Sequence, residues 1–276
     1  MLGRIRRDAE KVTINGSGIQ GVQSVSAQYE STARPLNNLG VTEIRYAPQG
    51  AQTANLQINT LFTHLLSPSA PVTSLNVMQN FTGEAGFSGV IDYGSKKFIF
   101  TEGYMDTFSC SCGIGEIPQI STTSVIYGEF GTGNLTNLPT DSYPSTLNIP
   151  SYSSMEVNLD EFNTNRMTSF SVDIATPRIP IYALNNDRPE RVIAGTPVEV
   201  NINFSLDVDD YEIKNMRFVP DETVFENTTL TLKKNNSDVT LLTYSFDNML
   251  LTSESFQGAA DSNAAVNFNL RSFILR

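Results

Sequence analysis

Along residues 22–30, VQSVSAQYE, the apolar Val25, Ala27 and Tyr29 are separated by the polar Ser24, Ser26 and Gln28. The same two-residue period runs through MTSFSVDIA at 167–175, where Phe170, Val172 and Ile174 alternate with Ser169, Ser171 and Asp173. It recurs in NLQINTLF, with Gln57 and Asn59 on the polar side, and in EVNINFSL, with Asn201 and Asn203. QISTTSVIYGEF at 119–130 and AAVNFNLRSFI at 264–274 read the same way. Successive side chains of a strand leave on opposite faces, so this pattern predicts strands with one buried and one polar face.

The strands come in two sets. Val25, Ala27 and Tyr29 match Phe170, Val172 and Ile174, and Pro35 matches Pro180, all 145 positions apart. Downstream the apolar pattern matches at 144: Leu56, Ile58 and Phe62 meet Val200, Ile202 and Leu206, and Met105 meets Met249. Such a spacing, held across most of the chain, is the mark of an internal duplication. Each copy also carries a long insertion at the same place, 32–53 and 177–199, and long loops in compact domains usually have a task. Residues 131–152, rich in Gly, Pro, Ser, Thr and Asn, read as a connecting linker. The expected organisation is an arm at 1–20, a first β-domain at 21–131, a linker at 132–152 and a second β-domain at 153–276. Each domain is expected to be an antiparallel sandwich or half-open barrel. A minor helix is expected in each; the best candidate is DVDDYEIKNMRF at 207–218, acidic at its start and basic toward its end.

Composition narrows the function. The chain has 276 residues and a net charge of −11, which argues against binding nucleic acid through phosphate neutralisation. The charge is uneven, since residues 140–276 hold 19 acids and 10 bases against 10 and 8 before them. A strand wall drawn from such a chain repels phosphates. No apolar run approaches the length of a membrane span. The start, MLGRIRRDAEK, is basic without the apolar segment of a secretory signal, so folding in a cytoplasm is expected.

Little in the chain points to catalysis. His64 is the only histidine and sits in the apolar LFTHLLSP, which suits packing better than general-base work. Cys110 and Cys112 lack the second pair a zinc site needs, and a disulfide two residues apart distorts an extended strand, so both are expected to be buried and apolar in role. Asp207, Asp209, Asp210 and Glu212 lack the glycine turn and distal glutamate of a calcium loop. FTGEAGFSG at 81–89 has glycines but no lysine, and reads as a turn before a strand. The chain holds no tryptophan to stack a sugar. No cofactor, metal or enzymatic activity is expected.

What the strands do offer is a set of neutral hydrogen-bonding residues on two matching faces, with Asp173 the one charge and no lysine or arginine among them. GVQSVSAQYE, FSGVIDYGSKKFIFTEGYMDTFSCSCGIGEIPQISTTSVIYGEFG and MTSFSVDIATPRIPIYAL, with PVEVNINFSL, resemble tail tube proteins of tailed bacteriophages. The resemblance covers most of the chain through strand patterns and short runs. It implies a β-sandwich tube domain, six domains to a ring, rings stacked into a hollow DNA conduit, and inner sheets joined into one lumen barrel. A domain duplicated within the chain implies three chains to a ring. By position, Ser24, Ser26, Gln28, Gln57, Asn59, Ser169, Ser171, Asp173, Asn201 and Asn203 would line the lumen. The two insertions would match the family's hairpin that reaches the next ring, with Arg34, Arg45, Arg178, Arg188 and Arg191 as contacts. Implied partners are further copies of the chain, the tape-measure, terminator and baseplate proteins, a sheath in a contractile tail, and DNA in passive transit. The implied location is the virion tail, assembled in the bacterial cytoplasm. The rival reading from another class is a tail-fibre, decoration or adhesin module that recognises a host glycan.

Overall fold

The computed structural model describes residues 11–19, 21–30, 33–36, 45–48, 53–62, 83–93, 97–132, 150–159, 162–164, 167–184, 186, 188–207, 224–234, 240–259 and 262–274. The chain is all-β, as the alternation predicts, and no helix occurs among the described residues. The expected minor helices are therefore not found there; the candidate at 207–218 begins on the last residue of a strand and otherwise lies outside the described residues.

The strands of the first half are β1 (Lys11–Ile14), β2 (Ser17–Ile19), β3 (Val22–Glu30), β4 (Ala33–Leu36), β5 (Arg45–Pro48), β6 (Thr53–Leu61), β7 (Phe87–Asp92), β8 (Lys97–Gly113), β9 (Gln119–Ile126) and β10 (Phe130–Thr132). Those of the second are β11 (Pro150–Leu159), β12 (Phe162–Thr164), β13 (Met167–Ala175), β14 (Arg178–Ile181), β15 (Arg191–Ala194), β16 (Val198–Asp207), β17 (Val224–Lys234), β18 (Thr240–Ala259) and β19 (Ser262–Ile274). Fifteen of them form one sheet, while β4 with β5 and β14 with β15 form separate hairpins. The segment read from sequence as an arm contains β1 and β2, both paired into the large sheet.

Pairings in the first half recur ten strands later. β1 pairs β2 and β7, β3 pairs β6, β6 and β8 both pair β9, β7 pairs β8, and β4 pairs β5. β11 pairs β12 and β17, β13 pairs β16, β16 and β18 both pair β19, β17 pairs β18, and β14 pairs β15, all antiparallel. Even the irregularities repeat. The β3–β6 register shifts between Val22 and Ser24, and that of β13–β16 between Met167 and Ser169, 145 positions on. The β8–β9 register shifts between Met105 and Thr107, and that of β18–β19 between Leu251 and Ser253, 146 on. Glu102 and Asn248, also 146 apart, are both non-glycine residues with positive φ, 54° and 53°. The spacing after the insertion is thus 146 and corrects the 144 read from the apolar pattern. A two-residue slip leaves every side chain on its own face, so the pattern alone cannot tell the two apart; the bulges can.

The two halves meet along one seam. β8 pairs β7 through its first part and β13 through its second, from Thr107↔Ala175 to Gly113↔Ser169. One apolar cluster runs through both halves and includes Leu56, Ile58, Phe108, Cys110, Val172, Ile174, Val200 and Phe268. Phe204 stacks on Phe268 at 4.9 Å, and Phe108 meets Tyr244 edge-on at 6.2 Å although β8 and β18 do not pair. Burial of each such aromatic contributes roughly 1.5–3 kcal/mol. Both cysteines are free and buried, as expected from their place on the apolar face.

Gly89 sits where β7 passes between β1 and β8, opposite Ile14 and Phe100. A Cβ there would stand 2.6 Å from the Thr13 carbonyl oxygen and against the Phe100 ring. Gly89→Ala should therefore lower the urea midpoint at unchanged m, by about 1–3 kcal/mol of stability. Equal midpoints would mean that β7 shifts freely.

Candidate functional site

Residues directly opposite each other in antiparallel strands point to the same face. The registers therefore assemble the polar positions into rows. One row runs Ser24, Asn59, Ser121, Ser109, Asp173, Asn201, Arg271 across β3, β6, β9, β8, β13, β16 and β19. A second runs Gln119, Ser111, Ser171, Asn203, Asn269, Ser253. Ser26 and Gln57 stand opposite each other beside the first row, Ser169 beside the second, and Gln28 opposite Asn55. All ten sequence-predicted face residues thus share one side of the sheet, and both rows cross the β8–β13 seam without a break. Sequence reading did not single out Ser121, Asn267 and Asn269, although NFNL carries the same alternation.

Several side chains of this face pair with one another. Asn59 Nδ2 donates to Ser24 Oγ at 2.8 Å, and Asn203 Nδ2 donates to Ser171 Oγ at 3.0 Å. Asn269 Nδ2 donates to Ser253 Oγ, and Ser205 Oγ to Asn267 Oδ1. Asparagine amides and serine hydroxyls both donate and accept, and neither carries a net charge. An expected absence of cations is corrected at one place. Arg271 lies on this face, but its Nη2 is 2.8 Å from Glu199 Oε1, and Asn201 donates to the same carboxylate. Those contacts, first the Asn201 amide and then Arg271, hold the Glu199 carboxyl below its ordinary range. With Asp173 and Asp207 also on the face by register, its described charges are net acidic.

Three of the insertion arginines make contacts within the chain. Arg178 is only 9% exposed; its Nε donates to the Met105 carbonyl at 2.7 Å and its Nη1 to the Gly83 carbonyl at 2.8 Å. Its guanidinium also lies 5.8 Å from the Tyr104 ring centre. Arg191 Nε donates to Glu84 Oε2 at 3.0 Å, and Arg188 lies 3.5 Å from Glu129 Oε1. All three bind residues of the first half, Arg178 from the base of the β14–β15 hairpin, Arg191 and Arg188 from its far end and loop, so the hairpin is fastened across the seam within one chain. They reach inward because β13 pairs with β8 and thereby delivers the hairpin onto 83–84, 105 and 129. Beside its exposed polar residues the hairpin exposes four apolar side chains: Ile179, Ile181, Tyr182 and Leu184, the last 98% exposed. The side chains of Arg34 and Arg45 lie outside the described residues, and the register places Arg45 opposite Leu36 as Arg191 is opposite Ile181.

No cluster of three or more metal-ligating side chains occurs among the described residues. His64, Asp209, Asp210 and Glu212 lie outside them. No described helix is long and apolar enough to cross a membrane. No protein-family model matches the chain, and no curated protein matches it.

Burial pushes the Cys110 thiol from an ordinary 9.0 up to about 12 and Cys112 up to about 11; beside burial, Glu116 adds to the second. Tyr127 also rises to about 12, first through burial. In the unfolded chain the thiols lose protons from about pH 9, while the folded chain holds them to pH 11–12. The folded state then binds more protons, so its stability is full below pH 9 and falls as pH rises toward 12. Denaturation midpoints measured from pH 8 to 11 should show this decline, and Cys110→Ala/Cys112→Ala should flatten its slope whatever the change in absolute stability. An unaltered slope would place the effect elsewhere.

Proposed function

We propose that this chain is a virion structural protein, a subunit of a phage tail tube, built as two tandem units that each fold their sheet over into a sandwich. The observation that carries the reading is the polar face, mostly uncharged with a small acidic surplus, that runs across eight strands of both halves. Such a face suits a conduit wall. Several of its amides and hydroxyls pair with one another, and the surplus charge of its described residues is negative, so DNA meets no cationic surface from which counterion release would drive binding.

Three chains then make a ring of six similar units, because a duplicated unit needs half as many chains. Rings stack through the hairpins, with the exposed Ile179, Ile181, Tyr182 and Leu184 as the contact. Arg178, Arg188 and Arg191 hold the hairpin in place for that contact. Further partners are the other tail proteins (tape measure, terminator, baseplate, and a sheath if the tail contracts), with double-stranded DNA in transit. The protein assembles in the bacterial cytoplasm and resides in the tail. It needs no cofactor and is not an enzyme.

Negative-stain electron microscopy and native mass measurement of the purified protein test the reading. Hollow rings or tubes with three chains per ring are expected. Dispersed monomers that bind a glycan would replace it with the adhesin module, and six chains per ring would overturn the trimer. The lumen assignment has its own test. Ser171→Lys/Asn203→Lys should leave tubes intact while slowing DNA ejection from virions; unchanged ejection kinetics would take these residues off the wall.

A further inference from the structure

The seam between the halves is a strand pairing that the chain makes once but is equipped to make twice. β8 offers residues 107–113 to β13. The corresponding stretch of β18, residues 253–259, has only β19 as a strand neighbour among the described residues. The strand corresponding to β13 is β3, which among the described residues has only β6. A strand with one neighbour leaves an edge of backbone donors and acceptors, and a second strand satisfies it. In one chain, then, the two missing halves of a second seam lie at opposite ends of the same sheet path.

We propose that β3 of one chain pairs antiparallel with β18 of a second copy of the same chain, repeating the internal seam between chains. The spacings of 145 for β13 and 146 for β8 set the register. Val172↔Cys110 becomes Ala27↔Phe256, and Ser171↔Ser111 becomes Ser26↔Gln257. Two observations support this register independently of the strand edges. Val172 and Cys110 are both fully buried at the internal seam, 0% each, whereas Phe256 is 62% exposed and Ala27 is exposed in the single chain. The large residue faces the small one, so the pair fills the space that Val and Cys fill inside the chain. Next along, Ile174↔Phe108 becomes Tyr29↔Glu254, a hydroxyl opposite a carboxylate, with Tyr29 45% exposed. On the polar side Ser26 and Gln257 extend the neutral rows into the neighbouring chain.

The hairpins complete the parallel. The β14–β15 hairpin clasps the first half across the internal seam through Arg178, Arg188 and Arg191. β4–β5 has the same register with Arg45 at the Arg191 position, so it is placed to clasp the second half of the partner copy. The first contact of these hairpins is thus sideways, around the sheet.

This pairing supplies the side-to-side contact of the ring proposed above and rests on that reading only for the closure of the ring. Cross-linking tests it. Ser26→Cys and Gln257→Cys, prepared as separate full-length variants and mixed under mild oxidation, should give a covalent dimer that neither variant gives alone. The native cysteines are buried and stay silent. The double variant should give a ladder ending at a closed oligomer, and the six-residue misregister Ser24→Cys with Ser253→Cys should give none. Phe256→Asp, at a site exposed in the single chain, should keep the monomer folded and reduce assembly at least tenfold by sedimentation. Rings that form without the Ser26–Gln257 cross-link would overturn this inference and leave the tube reading standing. Cross-linked open chains without rings would support the pairing and count against the tube. A Phe256→Asp protein that assembles normally would also overturn the pairing.

Discussion

The backbone of a strand carries donors and acceptors along both edges, and the β8–β13 pairing is where this chain resolves that constraint between its two halves. β8 is long enough to serve β7 with one part and β13 with the other, so the two copies of the motif share a sheet instead of standing apart. The continuity of the polar rows, the single apolar cluster and the placement of the second hairpin all follow from that pairing. Were it absent, Cys110, Phe108, Val172 and Ile174 would each lose the opposite strand that buries them.

The two faces of this sheet are built on different economies of contact. On the apolar face, volume decides: Phe204 stacks on Phe268, and Tyr244 reaches over from β18 to Phe108. On the polar face, pairing decides, since an asparagine opposite a serine satisfies both. Arg271, the one arginine on that face among the described residues, is held by Glu199 and lies 4.6 Å from the Phe273 ring centre. The result is a surface that is wet without being cationic, the property on which the conduit reading depends.

Arg178 shows how position overrides type. An arginine in an insertion reads as a surface contact, yet this one is buried against two backbone carbonyls, 73 and 95 positions away in sequence. Charged groups are buried only when their donors are satisfied, and two carbonyl oxygens and the Tyr104 ring meet that condition here. The hairpin's apolar residues remain outward as a consequence.

How much was legible in advance follows from what each signal can carry. The alternation of Ser24, Ser26 and Gln28 with Val25, Ala27 and Tyr29 is a local property, so strand type, the two faces and the repetition of the motif were all open to reading. The side-chain period of a strand is two, so the same alternation is blind to a slip of two residues. Only the paired bulges at 105–107 and 251–253 and the positive φ at Glu102 and Asn248 set the spacing at 146. The rows that join Ser109 to Asp173 and Ser111 to Ser171 depend on which strands lie side by side. So does the turning inward of Arg178. Neighbours in a sheet are chosen by long-range hydrogen bonding between distant segments, and nothing in the local order of residues encodes that choice; it belongs to the tertiary structure alone.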